Sequence, residues 1–416
     1  MTSASDAPTY VIVGASLTGA RAAEALRGTG ADGRVVLIGD EPDRPYERPP
    51  LSKEILLGKA GREKAYVHPE EWYAEHDVEL RLGTEVTAID REGKVLALSD
   101  GDQLPYDRLL LATGSSPRPI DVPQADLDGI HYLRRVGQSE HLRDAFTGGG
   151  RLVVVGAGWI GLEVTAAARS HGVDVTVVEP QPTPLHSVLG EEVGGIFAQL
   201  HRDHGVDLRT GTGVERFEGS GGRVTGVRTS TGDVVAADLV VVGVGITPNV
   251  GLAQAAGLDV DNGVLVDELL QTSDPSVWAA GDVANALNPL LGTRLRVEHW
   301  ANADGQGKAA GRSMAGQGEP YAKLPYFFTD QYSLGMEYHG YVSARDDAFR
   351  ADRVVLRGKP SEGDPWDAFW LMGDRVLAGM NVNDWDAGDG IKALVRSRRE
   401  VDAERLADPG VPLDEV

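Results

Sequence analysis

The chain has 416 residues, with 40 Lys+Arg against 63 Asp+Glu and no cysteine. The formal charge of -23 turns the protein's own field against nucleic acid and anionic membrane surfaces. Without a thiol, disulfides, protein-held iron-sulfur clusters, thiolate-ligated haem, cysteine zinc sites and catalytic sulfur nucleophiles are excluded, so any electron transfer needs a bound organic cofactor.

At roughly 150 residues per domain the length points to about three domains. The opening MTSASDAPTYVIVGAS lacks the basic and apolar regions of a signal peptide, and no apolar run reaches membrane-spanning length, so a cytoplasmic location is expected. Tyr10 to Val13 reads as a buried strand that runs into Gly14-Ala15-Ser16-Leu17-Thr18-Gly19. An Ala-rich helix follows, then a second strand, Val35 to Ile38, closing on Asp40-Glu41. In such a unit the first glycine permits a tight turn, the second lets backbone approach a pyrophosphate, and the third lets helix pack on strand. The helix N-terminus then faces the phosphates. Ser16 stands where the second glycine belongs; it is small and offers a donor, so the phosphate site is expected to survive. Lys94 to Ser99 alternates like a meander strand, and Leu109 to Gly114 reads as a buried strand entering a turn.

The pattern returns 142 residues later, as Leu152 to Val155 and then Gly156-Ala157-Gly158-Trp159-Ile160-Gly161. A helix through Arg169 leads to the strand Val173 to Val178, closing on Glu179. Glu41 and Glu179 are placed to hydrogen-bond ribose hydroxyls. Arg223 to Thr229 and Asp238 to Gly245 repeat the meander and the buried strand of the first unit. One glycine fingerprint is weak evidence, but two in strand-turn-helix context, each closed by an acid, imply two dinucleotides. The simplest pair is a resident flavin and an exchangeable nicotinamide cofactor. Val277 to Asp282 then runs an apolar strand into Gly281-Asp282, where the Asp282 carboxylate can accept from the ribityl chain of FAD. From about Tyr321 a smaller, separate α+β domain is expected, with Tyr326 to Phe328 in its core, helical spacing over Ile391 to Leu406, and DPGVPLDEV as a tail.

Taken in order, Gly14 to Gly19, Arg44 to Lys53 (RPYERPPLSK), Ala112-Thr113-Gly114, Gly156 to Glu163, Gly245 to Asn249 (GITPN), Ala280-Gly281-Asp282 and Glu298 to Asn302 (EHWAN) span essentially the whole chain. With these motifs the chain resembles the FAD-dependent NADH-ferredoxin reductases that serve cytochrome P450s and ring-hydroxylating dioxygenases. RPPLSK and EHWAN are the specific stretches. The resemblance implies an α/β, glutathione-reductase-like two-dinucleotide-binding fold. Its implied divisions are residues 1–115 and 243–320 for FAD, 116–242 for NAD, and a C-terminal α+β domain over 321–416.

The resemblance also implies roles. Arg48 and Lys53 would sit on the FAD, Lys53 beside the isoalloxazine, where it can pair with Glu163 near the nicotinamide. Trp300 would lie against the flavin, Asp282 on its ribityl chain, and Thr113, Gly114, Ile160 and Gly245 among the cofactor-lining residues. His299 reads as structural, because hydride transfer to flavin requires no general base. One departure is the stretch Pro180-Gln181-Pro182-Thr183-Pro184, which lacks the cation the family often carries there and so offers nothing to a 2′-phosphate.

The implied activity takes hydride from NADH to FAD and passes single electrons to a two-iron two-sulfur ferredoxin. Docking would use Arg294, Arg296, Lys59, Arg62 and Lys64 against an acidic partner. Three alternatives stay open: a rubredoxin reductase, an NADH oxidase or quinone reductase, and a non-enzymatic NADH-sensing flavoprotein of apoptosis-inducing-factor type. A monomer or a homodimer is expected.

Overall fold

Thr9–Val13 is the middle strand of a parallel sheet ordered Val277–Ala279, Arg108–Leu111, Thr9–Val13, Arg34–Ile38, Val78–Arg81. Val11, Ile12, Val35 and Val36 are fully buried, which is why these strands read as continuous β-branched runs rather than alternating ones. The structure is a computed structural model and describes residues 7–344, 346–361 and 363–416. The first six residues, part of the stretch read for a leader, lie outside the described residues.

The described chain divides into two compact units, one of residues 1–47, 63–116 and 246–323 and the other of residues 48–62, 117–245 and 324–416. The first holds the sheet just described and a meander of Val86–Asp90, Val95–Leu98 and Gln103–Pro105. The second repeats that plan. Its parallel sheet runs Asp207–Thr210, Asp174–Glu179, Arg151–Val155, Leu239–Val242, Ile130–His131, with a meander of Val214–Ser220, Arg223–Thr229 and Val234–Ala236. Both glycine loops therefore leave the carboxyl end of a central parallel strand, where α/β sheets bind ligands.

The second unit also contains an antiparallel sheet ordered Tyr326–Gln331, Leu334–Gly340, Arg375–Val382, Trp366–Met372, Arg353–Arg357. Met336, Trp370 and Met380 of this sheet share one apolar core with Val154, Leu162 and Phe197. Its centre is Trp366, Phe369 and Trp370, whereas Tyr326 to Phe328 lie half-buried on an edge strand. The helical spacing near the end resolves into two helices, Ala387–Ser397 and Ala403–Ala407. Arg398 breaks the run by turning left-handed (φ 51°), and the Asp402 side chain caps the second helix.

DPGVPLDEV is not a tail. Val411, Leu413 and Val416 pack with Ile391, Leu394 and Leu406, and Arg399 donates to the carbonyls of Leu413, Asp414 and Val416. Arg357 fastens the same segment through the carbonyls of Leu406 (3.2 Å), Asp408 (2.6 Å), Pro409 (3.3 Å) and Val411 (2.7 Å).

Beside Arg357, at 3.6 Å, lies Asp367, 2% exposed, whose Oδ1 has no hydrogen-bond partner among the described residues. Burial, reinforced by Asp384 and opposed by Arg357, pushes its carboxyl up to about 7. The unfolded carboxyl titrates near ~3.9. Between those values the folded state keeps a proton that the unfolded state has lost, so stability falls as pH rises, by about 1.4 kcal/mol per unit. Asp367→Asn should flatten that slope and raise the melting temperature at pH 8 relative to wild type. Thermal melts from pH 4 to 8 with parallel slopes in both proteins would refute this.

Candidate functional site

In the first unit Gly14 adopts φ +120°, and a Cβ there would lie 2.1 Å from the carbonyl oxygen of Ala112, so no other residue fits. A Cβ on Gly19 would lie 2.1 Å from the Gly14 carbonyl, which lets helix Leu17–Gly28 sit tightly on its strand. Ser16 is the residue before that helix, extended at φ -123° and ψ -163°; since φ is negative, serine replaces glycine here without strain. Among the described residues no side chain caps this helix, leaving its first amides aimed at the loop.

Around this loop Tyr46 donates its hydroxyl to Glu41. Thr113 and Asn249 bond each other twice, Thr113 Oγ1 to the Asn249 carbonyl and Asn249 Nδ2 to the Thr113 carbonyl, both at 2.8 Å. The Asn249 amide donates to the Gly114 carbonyl at 2.9 Å, so the ATG turn and the GITPN segment are one clasp. Ser115 Oγ donates to Asp282 at 2.8 Å and orients its carboxylate. Trp300 opens helix Trp300–Met314, whose N-cap is His299: its ring nitrogen accepts the Ala301 amide at 3.2 Å.

In the second unit the three glycines divide their work differently in space. A Cβ on Gly156 (φ +98°) would lie 2.5 Å from the Gly243 carbonyl, and one on Gly161 would lie 2.1 Å from the Gly156 carbonyl. A Cβ on Gly158 meets nothing within 4 Å. Gly156 and Gly161 are thus required by the protein itself, while the bare face of Gly158 is left for a ligand. Gly245 is equally open. No side chain caps helix Trp159–Ser170 among the described residues. Glu179 accepts the amides of Ala157 (2.7 Å) and Gln181 (2.8 Å), fixing its carboxylate at the strand end. Ile160, 44% exposed, is an apolar side chain held in the open beside the loop. Both cradles, a small residue (Ser16 or Gly158) before an uncapped helix start with an acid at the next strand's end, fit a dinucleotide.

One turn into that helix Glu163 is buried, and its Oε1 accepts Lys53 Nζ at 2.7 Å. Two further donors, absent from the sequence reading, complete it: Ser52 Oγ bonds Oε2, and Thr329 Oγ1 donates to Oε1 at 2.6 Å. Ser52 is part of the RPPLSK stretch and could have been suspected. Thr329 carries no local signal at all. Lys53 Nζ also stands 5.0 Å from the centre of the Phe328 ring, a cation-π approach. Arg48 donates to the Arg134 carbonyl. Of the proposed docking cations, Arg62 is paired with Glu140 and Arg296 with Glu298, and Arg294 is tied to the carbonyls of Val266 and Asn285. Lys59 and Lys64 remain exposed. Among the described residues there is no cluster able to hold a metal ion and no helix long and apolar enough to cross a membrane.

Comparison with known proteins agrees with the two cradles and with the C-terminal sheet. Residues 8–307 match the family described as pyridine nucleotide-disulphide oxidoreductase, and residues 326–416 match the family described as reductase C-terminal. The chain is 42% identical over 405 residues to the anthranilate 1,2-dioxygenase system ferredoxin-NAD(+) reductase component of Burkholderia cepacia, covering 97% of this chain and 98% of that one. It is 39% identical over 411 residues to putidaredoxin reductase of Pseudomonas putida, covering 98% and 96%. Among solved structures, the covalent putidaredoxin reductase-putidaredoxin complex superimposes with a TM-score of 0.93 at 39% identity, covering 98% of this chain and 97% of that one. Two glycine cradles on repeated parallel sheets, matched over nearly the full length by these relatives, place the chain in the pyridine nucleotide-disulphide oxidoreductase family.

Proposed function

We propose that this protein is an NADH-dependent ferredoxin reductase supplying a two-iron two-sulfur ferredoxin that serves a cytochrome P450 or a ring-hydroxylating dioxygenase. The observation that carries this reading is the pair of dinucleotide cradles in a chain without cysteine. The family is named for disulphide chemistry, and this chain has no sulfur pair to perform it, so its electrons leave from the cofactor itself. FAD, when bound, supplies the capacity to take a hydride and release electrons singly.

The chain's residues hold, orient and bias. Gly14, Ser16 and Gly19, with the helix start beyond them, would receive the FAD pyrophosphate; Glu41 would take its ribose, Asp282 its ribityl chain, and Trp300, Arg48, Thr113 and Gly114 would bound it. Gly156, Gly158, Ile160, Gly161 and Gly245 would do the corresponding work for NADH, with Glu179 on the ribose. Lys53, fixed by Glu163 at 2.7 Å, would supply a positive charge to favour the reduced, anionic form of the bound ring. The FAD part comprises residues 1–115 and 243–320, the NAD part 116–242, and the remainder is the C-terminal domain. A cytoplasmic location goes with this role.

Holoenzyme mixed with NADH and an acidic two-iron two-sulfur ferredoxin should reduce it rapidly through many turnovers. Slow reduction with a persistent long-wavelength absorption band would favour an NADH-sensing flavoprotein instead. Since the net charge of -23 opposes an acidic partner, docking rests on a local patch acting within about one Debye length, roughly 8 Å. Lys59 is exposed and makes no ion pair among the described residues, so Lys59→Glu should raise the ferredoxin KM about three- to tenfold and leave NADH reduction of the flavin untouched. A KM insensitive to both this reversal and to added salt would move the docking surface elsewhere.

A further inference from the structure

Behind Glu163 lies a line of polar side chains to which no role has been assigned. Thr329, Gln331 and His201 are 0%, 1% and 0% exposed. Thr329 and Gln331 stand two apart on the strand Tyr326–Gln331, so the pleat turns both to one face, and His201 comes from helix His186–Asp203. Tyr332 Oη lies 3.2 Å from His201 Nδ1, His201 Nε2 lies 2.9 Å from Gln331 Oε1, and Gln331 Nε2 lies 3.2 Å from Thr329 Oγ1. Thr329 Oγ1 closes the line on Glu163 Oε1 at 2.6 Å.

The direction of every bond follows from the last one. A carboxylate in an ion pair has no proton to give, so the Thr329 hydroxyl donates and its oxygen accepts from the Gln331 amide nitrogen. Gln331 then presents its carbonyl oxygen to His201, whose Nε2 carries the proton while Nδ1 accepts from Tyr332. Burial supports the neutral ring by pushing the imidazole down to about 4. Four donors in succession point at one carboxylate oxygen, and such chains polarise one another in a water-poor interior. A carboxamide in the middle does not hand a proton on, so the line orients rather than conducts.

We propose that Thr329 is a positioning residue for the Lys53–Glu163 pair, aligned in turn by Gln331 and His201. Thr329 and Lys53 meet on the same carboxylate oxygen, so the hydroxyl fixes where the ammonium is presented, and a residue of the C-terminal sheet sets the charge geometry of the nucleotide site. The proposal rests on the reading of Lys53 and Glu163 given above.

Stopped-flow reduction of the holoenzyme by NADH, in wild-type and Glu163→Gln backgrounds, provides one test. Thr329→Val should lower the limiting reduction rate about tenfold with the NADH dissociation constant unchanged, and Thr329→Ser should restore it to within about twofold. In the Glu163→Gln background Thr329→Val should change the rate by less than about twofold, because the charged carboxylate whose ion pair with Lys53 it orients is gone. Nitrogen NMR of the holoenzyme gives an independent reading: His201 should be neutral with the proton on Nε2, and that proton's resonance should move in Glu163→Gln although several hydrogen bonds intervene. Equal rate losses in both backgrounds, no rescue by serine, a proton on Nδ1, or an unmoved resonance would each overturn the proposal. Glu163→Gln reducing as fast as wild type would refute the reading of the site itself, and the histidine resonance would then decide alone whether the oriented chain exists.

Discussion

Lys53→Met should slow NADH-driven flavin reduction about a hundredfold while the purified protein keeps its full complement of FAD. The rate effect follows from losing a fixed cation where negative charge develops, in a setting with little water to substitute for it. Retention of FAD follows from the make-up of its proposed cradle: the Gly14–Gly19 loop would hold through backbone and an uncapped helix start, and Asp282 is oriented by Ser115, none of which the substitution alters. The substitution also carries a stability penalty. Side-chain exposures are 12% for Lys53 and 4% for Glu163, so removing the cation strands a buried carboxylate at a cost of about 3–5 kcal/mol. Glu163→Ala removes the anion instead and should slow reduction as well, and the double variant should melt higher than Lys53→Met alone because no unpaired charge remains. Reduction rates equal to wild type in both single variants, measured by stopped flow, would return the pair to a structural role.

NADH should outperform NADPH by about a hundredfold in kcat/KM, the worth of a few kcal/mol of like-charge repulsion in a partly buried site. Two amides, those of Ala157 and Gln181, hold the Glu179 carboxylate at the end of its strand, so it is not free to swing aside for a 2′-phosphate. No cation offsets it in residues 180–184. The nearest in register is Arg209, which pairs with Val178 on the adjacent parallel strand, points to the opposite face from Glu179, and is bonded to Asp207. Gln181→Arg, which adds a cation beside the loop while preserving Glu179, should cut the preference by about tenfold. Equal efficiency with the two cofactors in the wild-type enzyme would remove Glu179 from the ribose site.

What the amino-acid order determined by itself was whatever a few adjacent residues can encode. The turn at Gly14 and at Gly156 needs a left-handed or crowded backbone that side chains forbid, so the glycines mark their own positions. Parallel strands buried on both faces announce themselves as Val and Ile runs, and the meander strands as alternation, so Val95–Leu98 and Arg223–Thr229 were both visible. Ser16 was legible as a tolerated substitution because its backbone stays at negative φ. The lack of cysteine fixed the class of redox chemistry before any fold was considered.

Tertiary structure decided who meets whom. Lys53 and Glu163 lie 110 positions apart, and Thr329 lies a further 166 from Glu163, separations over which no periodicity carries information. The cations read as a docking patch carried their charges in sequence, but folding brought Glu140, 78 positions away, to Arg62 and cancelled it, while Arg296 pairs with Glu298 only two positions on. Tyr326 to Phe328 looked like core by composition, yet their strand lies at a sheet edge, where one side must serve the neighbouring site, and so Phe328 came to face Lys53. DPGVPLDEV, with its prolines and acids, had no local pattern to declare it ordered; it is held because Arg357 and Arg399, distant in sequence, offer guanidinium donors to carbonyls that a turn-rich segment cannot satisfy alone. Backbone conformation and strand burial are set by nearest neighbours along the chain, whereas ion pairs, buried donors and exposed faces are set by which surfaces the packed core brings together.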